Sequence, residues 1–182
     1  AASDVYKRQA RSLLDVTTTG RVGVIGTVGT VASGAYQRLV ESLDPRIELS
    51  CAACPGFVEF VERGETATDQ VRVLAERLLA PVLEAKVDSL LLGCTHYPFL
   101  ARTIGQVMGR DVVLVSSADE TAFEVRRVLE STDAGRVVDA DAGPAVRQFV
   151  STGDTDGFAS LGRRLLGPEL TGVVAHRWDD AS

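Results

Sequence analysis

Three side chains that can move protons or hold a polar ligand stand next to one another at Cys94, Thr95 and His96. A cysteine acts as a base or a nucleophile only as the thiolate, which a helix amino terminus or a nearby imidazolium favours. Threonine offers a hydroxyl and a backbone N–H, and histidine can exchange protons near neutral pH. The spacing therefore indicates acid–base or nucleophilic chemistry, and a structural cysteine beside a loop histidine is the alternative.

The segments on either side predict where this motif lies. Residues 87–92 form a short apolar run, which is typical of a central strand covered on both faces. Pro98 suits the first turn of a helix, which continues through Ile104. The motif would then lie at the carboxyl end of a strand and face a helix start, where ligands bind in open α/β sheets.

A second strand end carries two hydroxyls. Residues 21–27 predict a strand that runs into a turn, and residues 30–43 predict a helix with an apolar residue at every fourth position. The glycines between them match neither a dinucleotide fingerprint nor a P-loop. Hydroxyls at a helix amino terminus can bind an anion or cap backbone N–H groups, so Thr27 and Thr30 are candidates for either role.

Cys51 and Cys54 form a C-x-x-C pair that leaves two alternatives open. The pair could be a redox centre beside the helix start at Pro55, or it could join Cys94 and His96 around a zinc ion. A Cys-x-His segment is an unusual second half of a zinc site. We therefore expect neither a metal nor a cofactor.

The remaining segments alternate between helical and strand patterns, which predicts an α/β fold with a parallel sheet. The predicted helices span residues 57–63 (with Gly64 just past the end), 66–84 (kinked or divided at Pro81), 118–129 and 158–166, and the predicted strands span residues 47–50, 112–116, 147–154 and 173–175. Glu62 lies near the end of the first of these helices. A carboxylate is unfavourable there, which indicates a cationic partner; a solvated surface charge is the alternative.

Composition excludes several classes of protein. The chain has 182 residues, a net charge of −6 and three cysteines. The negative charge argues against nucleic acid or an anionic membrane as partner, and no apolar run approaches the roughly 18 residues of a membrane span. A small, odd number of cysteines is typical of a protein in a reducing cytoplasm and not of a disulfide-bonded one. Residues 1–9 show no apolar periodicity and are excluded from the fold, and residues 1–20 are interpreted as a leader or junction, in part non-native.

Residues 91–98, Leu-Leu-Gly-Cys-Thr-His-Tyr-Pro, resemble the second active-site motif of the glutamate racemases, in the aspartate/glutamate racemase superfamily. The resemblance covers about residues 22–166. It implies two lobes built as parallel-sheet sandwiches. Residues 21–110 would form the second lobe, and residues 111–182 would form the carboxyl-terminal part of a first lobe that is incomplete here.

The resemblance also implies a reaction and a set of site residues. These racemases interconvert L- and D-glutamate without a cofactor, using two cysteines on opposite faces of the α-carbon, and supply D-glutamate for peptidoglycan. Cys94 would serve one face, with His96 tuning it and Glu62 orienting His96. The residues implied to bind substrate are Thr95, His96, Thr27 and Thr30.

The family segment that carries the first catalytic cysteine has no match in the chain, and Cys51 and Cys54 match a different segment. We therefore expect a carboxyl-terminal portion of a glutamate racemase that is inactive alone, exposes apolar surface, and forms a homodimer in the full-length protein. Three alternatives stay open: a racemase for aspartate or a related amino acid, a non-catalytic fragment that binds an amino acid or a partner protein, and a thiol hydrolase with an acyl-enzyme at Cys94.

Overall fold

The computed structural model describes residues 2–135, 143 and 146–178. These residues divide into two compact units. The first unit comprises described residues up to 61 and from 65 to 134, and the second comprises residues 62–64 with the described residues from 135 onward.

A four-stranded sheet forms the centre of the first unit, with strand order β2–β1–β3–β4 and every pair parallel. Its strands are β1 (Arg21–Gly26), β2 (Glu48–Ala53), β3 (Ser89–Leu92) and β4 (Val113–Ser116). All four residues of β3 are buried, because this strand is central and helices cover both faces of a parallel sheet. The predicted α/β class with a parallel sheet is confirmed.

Helices connect these strands. They are α1 (Ala2–Val16), α2 (Val28–Ala32), α3 (Ala35–Leu43), α4 (Phe57–Glu62), α5 (Asp69–Glu84), α6 (Ala101–Met108) and α7 (Ser117–Ser131), with a 3₁₀ turn at Tyr97–Leu100. The single helix predicted over residues 30–43 is two helices, because Gly34 takes a left-handed φ of 64° between them. Helix α5 continues through Pro81 and is not divided there. Within the described part of the chain, no helix is long and apolar enough to cross a membrane.

Helix α1 corrects the exclusion of residues 1–9 from the fold, because Gln9 is buried and its side-chain carbonyl oxygen accepts from the Tyr36 hydroxyl at 2.7 Å. The interpretation of residues 1–20 as a leader or junction stays a prediction. Ala10 and Leu13 are fully buried, and Leu13 packs in the core with Val22 and Leu91. The Ser89 hydroxyl also donates to the Leu13 carbonyl oxygen at 3.4 Å. The apolar residues that face the sheet are concentrated in the second half of the helix, so the first nine residues show no period.

The boundary predicted between residues 110 and 111 also differs from the structure. Strand β4 pairs with β3 in register from Ser89–Val113 to Leu92–Ser116, and α7 follows β4 in the same compact unit. Strand β4 is an edge strand with Val113 47% exposed, and Phe123 on α7 is 63% exposed. Apolar side chains are therefore exposed here, as expected. The assignment of residues 111–182 to a first lobe stays a prediction.

The second unit contains a two-stranded parallel sheet and one long helix. Strands β5 (Phe149–Ser151) and β6 (Val173–Ala175) pair directly, and α8 (Thr155–Leu166) lies between them in the chain. The Asp154 carboxylate caps α8 by accepting from the Asp156 backbone N–H at 3.0 Å. The predicted final strands and helix are confirmed, although β5 is shorter than predicted. Most of the surface loop predicted over residues 133–143 lies outside the described residues.

Asp88 holds the turn that leads into β1. Its carboxylate accepts from the Thr17 hydroxyl at 2.6 Å and from the backbone N–H groups of Thr18 and Thr19 at 2.8 and 2.7 Å. Burial opposes ionisation of this carboxyl, but these hydrogen bonds outweigh it, and the pKa of Asp88 lies well below its ordinary value. The charged form therefore ties the start of β1 to the start of β3.

We expect Asp88→Asn to lower the free energy of unfolding by about 1–2 kcal/mol at pH 7, because charge-assisted bonds are lost. A carboxyl whose folded pKa is lowered contributes stability above its unfolded pKa, near 3.9, and loses that contribution as the pH falls toward the folded value. The difference between wild type and variant should therefore shrink between pH 5 and pH 3, measured by urea unfolding. Asp111→Asn, at an exposed site, is the matched control. An equal difference at both pH values would contradict this account.

Candidate functional site

Parallel pairing brings the ends of β1 and β3 side by side. Ile25 is the register partner of Leu92, and the Gly93 backbone N–H donates to the Ile25 carbonyl oxygen at 2.8 Å. Thr27 and Cys94 therefore follow the ends of neighbouring strands, as the sequence predicted for the motif. We call the group Thr27, Thr30, Cys94, Thr95 and His96 the strand-end site.

Gly93 makes this close approach possible. A Cβ at position 93 would lie 2.8 Å from the Ile25 carbonyl oxygen and 3.5 Å from atoms of the Tyr36 ring and hydroxyl. Backbone atoms of a central strand cannot move aside cheaply, so any side chain would force the strand ends apart. The loop that carries Cys94 is therefore held against β1 at its first residue.

Cys94, Thr95 and His96 come together as predicted. The Cys94 Sγ lies 4.0 Å from Nδ1 of His96, and the Thr95 Oγ1 lies 3.5 Å from the same nitrogen. Cys94 and His96 are half-buried, and Thr95 is exposed. The motif therefore places a thiol, a hydroxyl and an imidazole together just after a buried strand, and a role for them in proton transfer stays a prediction.

Tyr97, the residue after the motif, was given no role by the sequence reasoning. Tyr97 is fully buried, its backbone N–H donates to the Cys94 carbonyl oxygen at 3.1 Å, and its hydroxyl donates to the Cys54 carbonyl oxygen at 3.0 Å. The 3₁₀ turn begins at Tyr97 with Pro98 next, and α6 starts only at Ala101. The sequence does contain a signal for this position, a tyrosine between a polar motif and a helix start. A buried tyrosine hydroxyl needs a hydrogen-bond partner, so such a residue is expected to connect two segments.

The hydroxyls of Thr27 and Thr30 contact each other at 2.9 Å, and the Thr27 oxygen accepts the Thr30 backbone N–H at 3.2 Å. Thr27 is thus the N-cap of α2, which is the capping alternative that the sequence left open. Only one of the two hydroxyl hydrogens is used in their mutual contact, so the other can donate to a ligand. A substrate-binding role for both residues stays a prediction.

Cys51 and Cys54 are free thiols in a different environment from Cys94. Burial raises the pKa of Cys51 to about 11 and that of Cys54 to about 12. The Cys54 side chain is only 1% exposed, and its Sγ lies 3.9 Å from the Ala52 carbonyl oxygen. Among the described residues, no three His, Cys, Asp or Glu side chains gather as metal ligands would.

Glu62 is the last residue of α4, where the sequence predicted it, and its side chain is exposed. A carboxylate at this end of a helix meets the negative pole of the helix dipole. The pairing of Glu62 with His96 stays a prediction.

The family model described as Asp/Glu/Hydantoin racemase matches residues 5–125 of the chain. A glutamate racemase from Acidothermus cellulolyticus is 50% identical over 171 residues, which are 94% of this chain and 64% of that protein. The crystal structure of glutamate racemase isoform RacE1 from Bacillus anthracis matches with a TM-score of 0.83 and 34% identity, covering 96% of this chain and 64% of that one. A Francisella tularensis glutamate racemase in complex with D-glutamate matches with a TM-score of 0.81 and 26% identity, covering 96% and 63%. The chain therefore spans just under two thirds of the length of these relatives.

We expect iodoacetamide at pH 8 to modify Cys94 in the folded chain and to leave Cys54 unmodified, with Cys51 reacting far more slowly than Cys94. Burial keeps the Cys51 and Cys54 thiols almost entirely un-ionised at this pH, and only the thiolate reacts. Mass spectrometry of the peptides measures the three rates separately. In urea all three cysteines should react alike, which is the control. Equal rates for Cys54 and Cys94 in the folded chain would contradict the burial argument.

Proposed function

The chain belongs to the Asp/Glu/Hydantoin racemase family, which confirms the resemblance, and from this premise we propose that it forms the Cys94 half of a glutamate racemase site. The observation that carries the proposal is the Cys94 Sγ, 4.0 Å from His96 Nδ1 at the ends of parallel strands. Glutamate is favoured over aspartate because the relatives are named glutamate racemase and one of them holds D-glutamate.

Racemisation needs a base on one face of the α-carbon and an acid on the other. In our proposal the Cys94 thiolate takes the α-proton, so that the C–H bond breaks, an S–H bond forms and the electron pair stays on the α-carbon. No cofactor delocalises this charge, so hydrogen bonds to the substrate carboxylate and exclusion of water must stabilise the carbanion. His96 accepts the thiol proton beforehand, which prepares the thiolate.

The polar groups around Cys94 supply the donors that this carbanion needs. The exposed Thr95 hydroxyl and His96 lie on the side of the thiol. On the neighbouring strand end, the Thr27–Thr30 pair retains one hydroxyl hydrogen for the substrate carboxylate while the N-cap of α2 stays intact. These four residues are therefore proposed to hold glutamate.

The acid for the opposite face is not another cysteine of this chain. Cys54 is buried, and burial raises the pKa of both the Cys51 and the Cys54 thiol, so neither readily forms the thiolate that the reverse reaction needs as its base. Because the chain spans 64% of the Acidothermus protein, racemisation is proposed for the protein at the length of its relatives. We further propose a cytoplasmic homodimer whose D-glutamate enters peptidoglycan.

We expect the 182-residue chain alone not to interconvert L- and D-glutamate, because one thiol cannot serve both faces. Adding the part of the Acidothermus glutamate racemase that the chain does not cover, in cis or as a separate chain, should restore racemisation. In that complemented protein, Cys94→Ala should abolish activity. Circular dichroism of glutamate over time measures the reaction.

Cys51→Ala is the matched control for this test, since it removes a half-buried thiol from β2 and should leave racemisation unchanged. Proton NMR in D₂O adds a second measurement, the exchange of the α-hydrogen of L-glutamate by the chain alone. Slow exchange with retained configuration is expected at most. Full racemisation by the chain alone, or unchanged activity in Cys94→Ala, would refute the proposal.

A further inference from the structure

We infer that Tyr97 is a positioning residue whose hydroxyl holds the Cys94–His96 pair in place by binding the carbonyl oxygen of Cys54 at 3.0 Å. This inference rests on the proposed function of Cys94. The positioning role belongs to the Tyr97 hydroxyl and is separate from the packing of its ring.

The phenol is placed to be a permanent donor. Tyr97 is fully buried, and its ring packs edge-on against Phe57 with the ring centres 5.4 Å apart. Burial, and to a smaller extent the neighbouring thiols, raises the pKa of Tyr97 above its ordinary value, so the hydroxyl keeps its proton. A buried hydroxyl without a partner would be costly, and the Cys54 carbonyl oxygen satisfies it.

Cys54 also bonds to the end of β1, next to the Thr27 part of the strand-end site. Its backbone N–H donates to the Gly26 carbonyl oxygen at 2.9 Å, and Gly26 directly precedes Thr27. On the other side, the Tyr97 backbone N–H donates to the Cys94 carbonyl oxygen at 3.1 Å. Tyr97 thereby joins the loop after β3 to the residue that follows β2, and through it to the end of β1.

The loop between Gly93 and Tyr97 is consequently held at both ends. Its first residue is fixed by the hydrogen bond of Gly93 to Ile25, where no Cβ would fit. Its last residue is fixed by the phenol. Three residues between two fixed points have little freedom, which keeps Cys94 Sγ and His96 Nδ1 in contact. Losing the second point would let the thiol and the imidazole move apart.

Tyr97→Phe isolates the hydroxyl, because phenylalanine keeps the ring and its contact with Phe57. The measurement is the rate of Cys94 alkylation at pH 7, alone and in a double-mutant cycle with His96→Asn. We expect Tyr97→Phe to slow alkylation about threefold or more in the wild-type background, and to have no further effect once His96 is replaced, since groups that act through one contact are not additive.

Thr103→Val is the matched control. Thr103 is also buried, and its hydroxyl also donates to a backbone carbonyl oxygen, that of Thr66, at 2.8 Å. Its loss should lower stability to urea as Tyr97→Phe does and leave the alkylation rate of Cys94 unchanged. Equal slowing in Thr103→Val, additive effects in the cycle, or no slowing in Tyr97→Phe would each overturn the inference.

Should Tyr97→Phe fail to fold, Phe57→Leu carries the test. It removes the ring that packs on Tyr97 and keeps the hydroxyl bond, so the alkylation rate should stay within about twofold of wild type although stability falls. Slowing as large as that of His96→Asn would show that ring packing, and not the hydroxyl, positions the pair.

Alkylation does not depend on racemisation, so the two proposals can fail separately. Non-additive slowing in a protein that never racemises glutamate, even when complemented, would support the positioning role and refute the proposed function. In an active complemented protein, Tyr97→Phe should lower kcat about tenfold or more, because a small displacement of a base is costly. KM should change by a smaller factor than kcat, since Thr27 and Thr30 keep their own hydrogen bonds while His96 moves. A change confined to KM would contradict a positioning role.

Discussion

The contact between Gly93 and Ile25 is the constraint on which the rest of the site depends. The backbones approach to 2.8 Å between nitrogen and oxygen, and a side chain at position 93 has no room. Because β1 and β3 run parallel, the segments that follow them leave the sheet at the same edge. Cys94 and Thr27 therefore follow the ends of neighbouring strands at this edge.

Burial separates the three cysteines into two chemical kinds. Cys51 and Cys54 lie on or just after β2, where burial raises the pKa of each thiol and the Cys54 Sγ lies 3.9 Å from the Ala52 carbonyl oxygen. Cys94 lies past the end of a buried strand, half-exposed and next to an imidazole. The same residue type is therefore inert in one place and suited to proton transfer in the other, because thiolate formation depends on solvation and neighbours.

Sequence patterns predicted the elements that hold the site better than those at its borders. The apolar run at β3, the glycine-ended strand β1 and the amphipathic α5 were all recognised, since each has a strong local period. The helix α1 was missed because the apolar residues in its first half are too few to show a period. The break at Gly34 was missed because a glycine inside an apolar pattern is ambiguous. The pairing of the edge strand β4 with β3 was not predicted, because a strand pattern does not say which strand it will pair with.

The sequence by itself determined that Cys94, Thr95 and His96 follow a buried strand and precede a helix start. Both signals are local, because an apolar run comes directly before the motif and Pro98 comes directly after it. It also determined the family, since the motif is long and contiguous. Only the tertiary structure decided which distant groups hold that motif: the Ile25 carbonyl against Gly93 and the Cys54 carbonyl against Tyr97. Such contacts join residues more than forty positions apart, and they exist only once the parallel register and the packing of the sheet have brought those strand ends together.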